Sequence, residues 1–310
     1  MSRPEKSPMG GLHDYLDPRL PRELEGLKLR ARRMVEGPLS GLHRGPYRGF
    51  SIEFAEHREY APGDDFRYLD WKVFARTDKF YLKQFEQETN LFCYLALDVS
   101  ESMSYQGPQA AESKLSYARR AAAALAYVVL RQGDSVGAIA FDDQLRGAVR
   151  PGGSADHLRA VCELFQSRQP VHRTDARRCF ESLVHRLPRR GVVAVLSDFF
   201  DDVDRVVAGL RLLRRCRHEV VAMHVLDAAE FSFPFQGRVE FRGLEGWGNR
   251  TVEADAIRAA YQREFDAHCD RLRRGCRAYG VDYVLLRTDQ PLGRVLARFL
   301  AGRGGRAAAG

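Results

Sequence analysis

Two long apolar runs, at residues 91–97 and 191–196, dominate the hydrophobic pattern of the chain. Runs without alternating polar residues are typical of central strands in a parallel sheet, which are buried on both faces. From residue 91 onward, apolar strands alternate with segments whose apolar positions recur at helical spacing. The predicted strands are 91–97, 135–141, 145–149, 191–196, 219–225 and 283–286, and the predicted helices are 114–131, 154–166, 175–187, 202–215, 255–278 and 291–301. This alternation predicts an α/β fold with a doubly wound, mostly parallel sheet.

The first 90 residues have a different pattern. Residues 1–20 are rich in proline, glycine and charge, and are predicted to be disordered. A helix is predicted over 20–36. Strands at 51–54 and 79–86 flank a predicted helix at 66–75, for which Asp64 or Asp65 is the expected N-cap. The predicted domains are a disordered segment at 1–20, a small β-containing N-terminal extension at 21–90, an α/β domain at 91–300 and a disordered tail at 301–310.

Composition narrows the classes of function. The chain has 49 Lys and Arg against 41 Asp and Glu. These basic residues are spread over many segments and are not interleaved with aromatic residues, so nucleic-acid binding is only a third alternative. The six cysteines form no CxxC pair, and we expect reduced thiols. No apolar stretch approaches the roughly 20 residues of a membrane span. We therefore expect a cytoplasmic protein without a secretory signal.

Short polar side chains follow both central strands. The run Asp98-x-Ser100-x-Ser102 follows the first, and Asp198 follows the second. In doubly wound sheets ligands bind at this carboxyl edge. Carboxylate and hydroxyl oxygens on one tight loop suit a hard cation such as Mg²⁺, whose oxygen ligands lie at about 2.1 Å. Thr174, just before a predicted helix, offers another hydroxyl. Taken singly, each of these residues also fits a turn or helix-cap role.

Taken together, Asp98, Ser100, Ser102, Thr174 and Asp198 resemble the metal-ion-dependent adhesion site of von Willebrand factor A domains. The resemblance covers the predicted α/β domain and implies a Rossmann-type sheet. It also implies that these five residues hold one Mg²⁺ or Mn²⁺. A glutamate or aspartate from a protein partner would then complete the coordination of the metal.

A longer motif precedes the α/β domain. Residues 58–71 read Arg-Glu-Tyr-Ala-Pro-Gly-Asp-Asp-Phe-Arg-Tyr-Leu-Asp-Trp, and Ala-Arg-Thr follows at 75–77. This motif resembles the signature of the bacterial family called domain of unknown function 58, where it precedes a von Willebrand A-like domain. Members typically lie in operons with MoxR-type AAA+ ATPases, so the resemblance implies an adaptor or partner of such an ATPase. The signature residues are Glu59, Tyr60, Gly63, Asp64, Arg67, Asp70, Trp71 and Arg76.

The signature also has a purely structural interpretation. Gly63 can supply a positive φ in a turn. Arg67, Asp70 and Arg76 could form a buried ion-pair network, with Trp71 in the core. A partner-binding surface is the alternative, and the residues alone leave both open.

The rival to a binding function is a metal-dependent hydrolase. The chain has no GxxxxGK[ST] phosphate loop and no GxSxG nucleophile elbow. His172 is the one histidine considered as a base, and an exposed loop position is its simpler interpretation. The sequence therefore predicts a non-catalytic, divalent-metal-dependent protein-interaction module, with the hydrolase as the alternative.

Overall fold

The computed structural model describes residues 17–30, 52–60, 69–87, 91–168, 170, 176–243 and 248–304. The chain divides into two compact units, which are described separately here. The large unit comprises residues 1–34 and 91–310, and the small unit comprises residues 35–90.

The predicted strands and helices occur in the predicted order, and two further strands and one further helix are present in the described residues. The strands are β1 (Ile52–Glu59), β2 (Tyr81–Gln87), β3 (Phe92–Asp98), β4 (Ser135–Phe141), β5 (Leu145–Gly152), β6 (Val192–Ser197), β7 (Glu219–Leu226), β8 (Arg238–Gly243), β9 (Gly248–Glu253) and β10 (Asp282–Arg287). The helices are α1 (Leu20–Glu23), α2 (Trp71–Thr77), α3 (Lys114–Arg131), α4 (Ala155–Gln166), α5 (Ala176–Arg186), α6 (Val203–Arg215), α7 (Ala228–Ser232), α8 (Ala254–Ala278) and α9 (Leu292–Gly304).

A six-stranded sheet forms the centre of the large unit, in the order β10-β7-β6-β3-β4-β5. All neighbours are parallel except β5, which runs antiparallel to β4 at the edge. Strands β3, β6 and β7 are almost wholly buried, as their continuous apolar sequences predict. Apolar side chains of α3, α4 and α9 form the core on one face, and those of α5, α6 and α8 form it on the other. The predicted α/β fold with a mostly parallel sheet is confirmed.

The N-terminal boundary differs from the predicted one. Leu20, Leu24 and Leu29 are buried in the core of the large unit, so these residues belong to it and not to an extension over 21–90. Of the predicted helix at 20–36, only α1 forms within residues 17–30, and Gly26 then adopts a φ of 74°. The side-chain amide of Gln132 fixes this segment. It donates to Leu29 O at 2.9 Å and accepts from Leu29 N at 3.0 Å.

The C-terminal helix also extends beyond its prediction. Helix α9 continues to Gly304, so residues 301–304 are helical, and the rest of the predicted tail lies outside the described residues. Near its end, the buried guanidinium of Arg303 donates to Asp282 at 3.0 Å and also to Glu219. It donates as well to the backbone carbonyl of Arg30 at 2.9 Å. Arg303 therefore ties the starts of β7 and β10 to the N-terminal segment.

The hairpin formed by β8 and β9 and the short helix α7 were not predicted from the sequence. Strands β8 and β9 pair antiparallel, and most of their side chains are exposed. Their sequences lack a continuous apolar face, which leaves little local signal. Contacts between aromatic rings stabilise the hairpin instead, because the centre of the Phe241 ring lies 5.8 Å from that of Phe233 and 5.2 Å from that of Phe235.

In the small unit, β1 and β2 pair antiparallel with a bulge between Phe54 and Glu56. The helix between them begins at Trp71 and not at residue 66. Asp70 is placed at its start and accepts from Val73 N at 3.4 Å, whereas the predicted caps Asp64 and Asp65 lie outside the described residues.

No helix within the described ranges is both long enough and apolar enough to cross a bilayer. No disulfide joins any of the six cysteines, and five of them are buried.

Close packing of α5 against α6 depends on Gly209. A Cβ at this position would lie 2.1 Å from a ring carbon of Phe180, whereas a Cβ at Gly302 in α9 would meet nothing within 4 Å. We expect Gly209→Ala to lower the free energy of unfolding by about 1–3 kcal/mol through overpacking. Gly302→Ala is the matched control and should raise it by about 0.5 kcal/mol through helix propensity. Urea titrations that show equal effects for both substitutions would contradict the packing argument.

Candidate metal site

The two aspartates predicted to share a site lie on neighbouring strands. Asp98 ends β3, and Asp198 follows directly after β6. The strands are paired in parallel register, with Leu97 opposite Leu196, so both carboxylates lie at the carboxyl edge of the sheet. Both side chains are buried. The sequence prediction that these residues share one edge is confirmed.

The loop after β3 places two hydroxyl groups beside each other. Asp98 Oδ1 accepts from the backbone N–H of Ser100 at 2.9 Å, which closes a tight turn. A short 3₁₀ turn begins at Glu101, and Ser100 Oγ lies 3.1 Å from Ser102 Oγ. Adjacent oxygens in an octahedral Mg²⁺ shell at about 2.1 Å from the metal are roughly 3 Å apart. The hydroxyl spacing therefore fits two adjacent metal ligands.

The hydrogen-bond donors that the described residues offer to Asp98 are neutral. In addition to the Ser100 amide, the Ser197 hydroxyl donates to its Oδ2 at 2.6 Å. Burial raises the pKa of Asp98 to about 7, and the neighbouring charge of Asp198 adds to the rise. The carboxylate form of Asp98 is therefore destabilised unless a cation arrives.

Asp198, in contrast, has a cationic partner. Lys114 Nζ donates to its Oδ2 at 2.7 Å, and the backbone N–H of Phe200 donates to its Oδ1 at 3.2 Å. Burial alone would raise the pKa of Asp198, but the Lys114 charge and these hydrogen bonds, with one from Ser102, hold it below its usual range. Asp198 thus stays ionised inside the protein.

Lys114 and Glu230 belong to the site but were missed in the sequence. The Lys114 ammonium is 1% exposed and also donates to Glu230 Oε1 at 2.8 Å. It lies 4.8 Å from the centre of the Phe200 ring. A lysine in the first turn of α3 opposes the helix dipole, which was the available signal for a special role. The Asp227-x-x-Glu230 spacing signalled a capping box, which the structure contains.

Phe199 has an uncommon backbone conformation that shapes the turn after β6. Its φ is 49°, in the left-handed region that bulky residues rarely adopt. Its N–H donates to Ser197 Oγ at 2.9 Å, and its ring packs 5.7 Å from that of His224. These contacts stabilise a strained backbone turn at Phe199, which Asp198 precedes and Phe200 follows.

His224 supports the same turn from β7. Its Nε2 lies 2.8 Å from the backbone carbonyl of Asp198, and its Nδ1 lies 2.8 Å from Tyr283 Oη. A carbonyl only accepts, so Nε2 donates and Nδ1 accepts from the tyrosine. Burial lowers the pKa of His224 to about 3, so the ring is neutral.

The remaining predicted ligand, Thr174, lies outside the described residues, as does His172. Within the described ranges, no three His, Cys, Asp or Glu side chains are grouped to hold a metal ion. A divalent ion at this edge would therefore depend on hydroxyl oxygens as well as carboxylates. The donor set of Asp98, Ser100, Ser102 and Asp198 fits such an ion, because all its atoms are oxygens on short side chains.

Residues 56–271 match the family described as "Protein of unknown function DUF58". The chain belongs to the DUF58 family. An uncharacterized protein of Mycobacterium tuberculosis is 32% identical to this DUF58 protein over 297 residues, covering 94% of this chain and 92% of the relative. An uncharacterized protein of Mycobacterium bovis shows the same values. The match confirms the family membership predicted from the signature.

Solved structures resemble the DUF58 chain at lower identity. The conserved hypothetical protein BatB of Bacteroides thetaiotaomicron is 15% identical, with a TM-score of 0.47, over 71% of this chain and 100% of its own. An aerotolerance-related membrane protein of Bacteroides fragilis is 18% identical, with a TM-score of 0.42, over 71% of this chain and 99% of its own.

The structure corrects the interpretation of the DUF58 signature as a buried network around a core tryptophan. Trp71 is 61% exposed, and Arg76 and Glu59 are also exposed, so they do not form a core. Asp70 is buried, and Tyr60 is half-buried. The helix that carries Trp71 and Arg76 has only seven residues, which limits the surface that it can cover. The signature residues outside the described ranges are Gly63, Asp64 and Arg67.

The raised pKa of Asp98 predicts how stability depends on pH in this DUF58 protein. Between about pH 4 and pH 7 the folded state holds a proton that the unfolded state has lost, so the group's contribution to stability falls as pH rises. Asp98→Asn removes this effect. In EDTA, its gain in unfolding free energy over wild type should be larger at pH 8 than at pH 5, by about 2 kcal/mol. Urea titrations at both pH values measure it.

Asp266→Asn is the matched control, because Asp266 is exposed on α8. It should show no comparable difference between the two pH values. A gain for Asp98→Asn that is equal at pH 5 and pH 8 would contradict the raised pKa.

Proposed function

We propose that this DUF58 protein is a non-catalytic protein-interaction module with a von Willebrand factor A-like metal site. Asp98, Ser100, Ser102 and Asp198 would hold one Mg²⁺ or Mn²⁺, with Thr174 as the further ligand expected from the resemblance. The observation that carries the proposal is the meeting of two buried carboxylates and two adjacent hydroxyls at the carboxyl edge of a mostly parallel sheet.

Charge supports a divalent ion at this edge. The Lys114 ammonium contacts the carboxylates of Asp198 and Glu230, and the charge of Asp198 acts on Asp98. With Asp98 and Glu230 ionised, these four groups carry three negative charges and one positive charge, a net charge that a divalent cation balances. Burying an unbalanced charge is unfavourable, so a cation would stabilise this arrangement.

The hydroxyl ligands leave a role for a partner. Ser100 and Ser102 contribute no charge, and Asp198 already shares its carboxylate with Lys114. When bound here, a divalent ion would supply an open coordination position for a carboxylate oxygen of the partner. The partially exposed ring of Phe200 lies beside Lys114, where it can contact an incoming protein.

A binding function is favoured over hydrolysis because two described basic groups near the aspartates, His224 and Lys114, are already engaged. Both ring nitrogens of His224 are hydrogen-bonded, and its lowered pKa keeps it from carrying a proton. Lys114 is held between two carboxylates, which keeps it charged and unable to accept a proton. Neither group is available as a general base.

The partner that we propose is a MoxR-type AAA+ ATPase or its client, in the cytoplasm. This part of the proposal is carried by the family resemblance of the signature at residues 58–77.

The test is a binding measurement between the full-length protein and a MoxR-type AAA+ ATPase from the same genome, by interferometry in Mg²⁺ and in EDTA. We expect binding in Mg²⁺ that EDTA and Asp98→Ala both reduce at least tenfold, while Asp266→Ala has no effect. Binding that ignores EDTA would place the contact elsewhere. A metal-stimulated phosphatase, nuclease or ATPase activity that Asp98→Ala abolishes would instead support the hydrolase.

A further inference from the structure

Lys114 places a permanent positive charge inside the candidate metal site. We infer that Lys114 is an internal counter-ion, which competes with the divalent ion for Asp198 and thereby keeps the metal affinity of the site low. The inference rests on the proposed function, because it concerns the regulation of the same site.

The first support is the geometry of the ammonium. It lies 2.7 Å from Asp198 Oδ2 and 2.8 Å from Glu230 Oε1. Its remaining surroundings include the faces of the Phe200 and Tyr105 rings, at 4.8 and 5.8 Å. A lysine is rarely buried this fully without such partners. The side chain is therefore a fixed part of the site and not a surface residue that happens to reach it.

The second support is that the two aspartates have different hydrogen-bond partners. The charge of Asp198 is paired with the Lys114 ammonium, whereas Asp98 accepts hydrogen bonds from the neutral Ser100 amide and Ser197 hydroxyl. Burial raises the pKa of Asp98, whereas the Lys114 charge and hydrogen bonds lower the pKa of Asp198 despite its burial. Within the described part of the chain, an arriving cation therefore finds one carboxylate without a cationic partner and one already paired with an ammonium.

The third support is that Glu230 can retain the ammonium. Its Oε2 accepts from the backbone N–H of Asp227 at 2.6 Å, which fixes the carboxylate, and its Oε1 faces Lys114. Asp198 can therefore turn toward a metal while Lys114 stays paired inside the protein. The exchange needs no transfer of the ammonium into water, which makes competition between the two cations physically feasible.

Competition has a consequence for partner binding. A like charge near the metal weakens its binding, and a carboxylate from a partner offsets that repulsion. Metal and partner should then bind cooperatively, each raising the affinity of the other by the same factor. With Lys114 present, the site would bind the metal and the partner tightly together and would bind the metal alone only weakly.

Isothermal titration of Mn²⁺ into the full-length protein tests the inference. We expect Lys114→Met to bind Mn²⁺ at least about tenfold more tightly than wild type, because a like charge is removed. Glu230→Gln should bind more weakly, because the ammonium then pairs with Asp198 alone. Lys28→Met removes the same charge at an exposed position and should change nothing.

A second variant guards against misfolding. In Lys114→Met the Glu230 carboxylate loses its partner, so the double variant Lys114→Met/Glu230→Gln removes both charges while Gln can still accept from Asp227 N–H. The double variant should also bind Mn²⁺ more tightly than wild type. Equal or weaker binding by folded Lys114→Met and by the double variant would overturn the inference.

The outcomes separate this inference from the proposed function. If wild type binds Mn²⁺ and Asp98→Ala does not, but the Lys114 variants match wild type, the metal site stands and the counter-ion role fails. If wild type shows no binding of Mn²⁺ alone and the Lys114 variants do, the counter-ion role stands, and the interferometry measurement with the ATPase in Mg²⁺ and in EDTA then decides the proposed function. Absence of binding in all these variants would refute both.

Discussion

Replacement of Asp98 by Ala is expected to abolish calorimetric binding of Mg²⁺ and Mn²⁺ by the full-length protein. Among the described residues, no cation is paired with the Asp98 carboxylate, and its Oδ1 holds the turn that brings Ser100 and Ser102 together. The substitution removes both the charge and the turn. A hard cation depends on anionic oxygen for much of its affinity, so the remaining hydroxyls and Asp198 should not suffice.

Asp98→Asn separates the two effects. Its side-chain oxygen can still accept from Ser100 N–H, so the turn is preserved while the charge is lost. We expect this variant to lose binding as well. Heats of Mn²⁺ binding equal to wild type in either variant would show that Asp98 is not a ligand.

Replacement of Arg303 by Met should destabilise the large unit by about 3 kcal/mol. The buried guanidinium pairs with Glu219 and Asp282 and donates to the backbone of Arg30, so its removal leaves carboxylates and a carbonyl without these bonds. Methionine keeps most of the side-chain volume, which limits the effect of an added cavity. The free energy of unfolding in urea is the measurement.

Arg298→Met is the matched control on the same helix, because Arg298 is exposed. It should change stability by less than about 0.5 kcal/mol. A loss for Arg303→Met as small as that of the control would show that the buried ion pairs contribute no net stability.

Elements with a strong local signal could be predicted from the sequence. Helix α3 was predicted at its observed bounds, since its apolar positions continue without Gly or Pro from Lys114 to Arg131. Strands β3 and β6 were found within one residue because they are continuously apolar. The β8–β9 hairpin was missed because its stability comes from ring contacts between Phe233, Phe235 and Phe241 and not from a periodic pattern.

The residues of the candidate site, too, were predictable only where the local sequence carries a signal. The position of Asp98 and Asp198 at one edge was predictable because each lies at the end of an apolar strand, where a general rule of the fold places ligands, and their role as metal ligands stays a prediction. Lys114 bonds to residues that are 84 and 116 positions away, and no local pattern encodes such a pair. The exposure of Trp71 was missed for a related reason, since a large apolar residue alone does not reveal whether its neighbours cover it.

The packing of residues 17–30 makes the small unit an insertion within the large one. The chain leaves the large unit after its N-terminal segment and returns to it at Leu91, so the small unit is tethered at both ends. A single proteolytic cut between 35 and 90 would leave the N-terminal fragment attached through Leu29, Gln132 and Arg303. Since loop-closure entropy grows only slowly with loop length, the small unit could also unfold locally while the large unit persists. A protease could thus nick this protein without separating its two pieces.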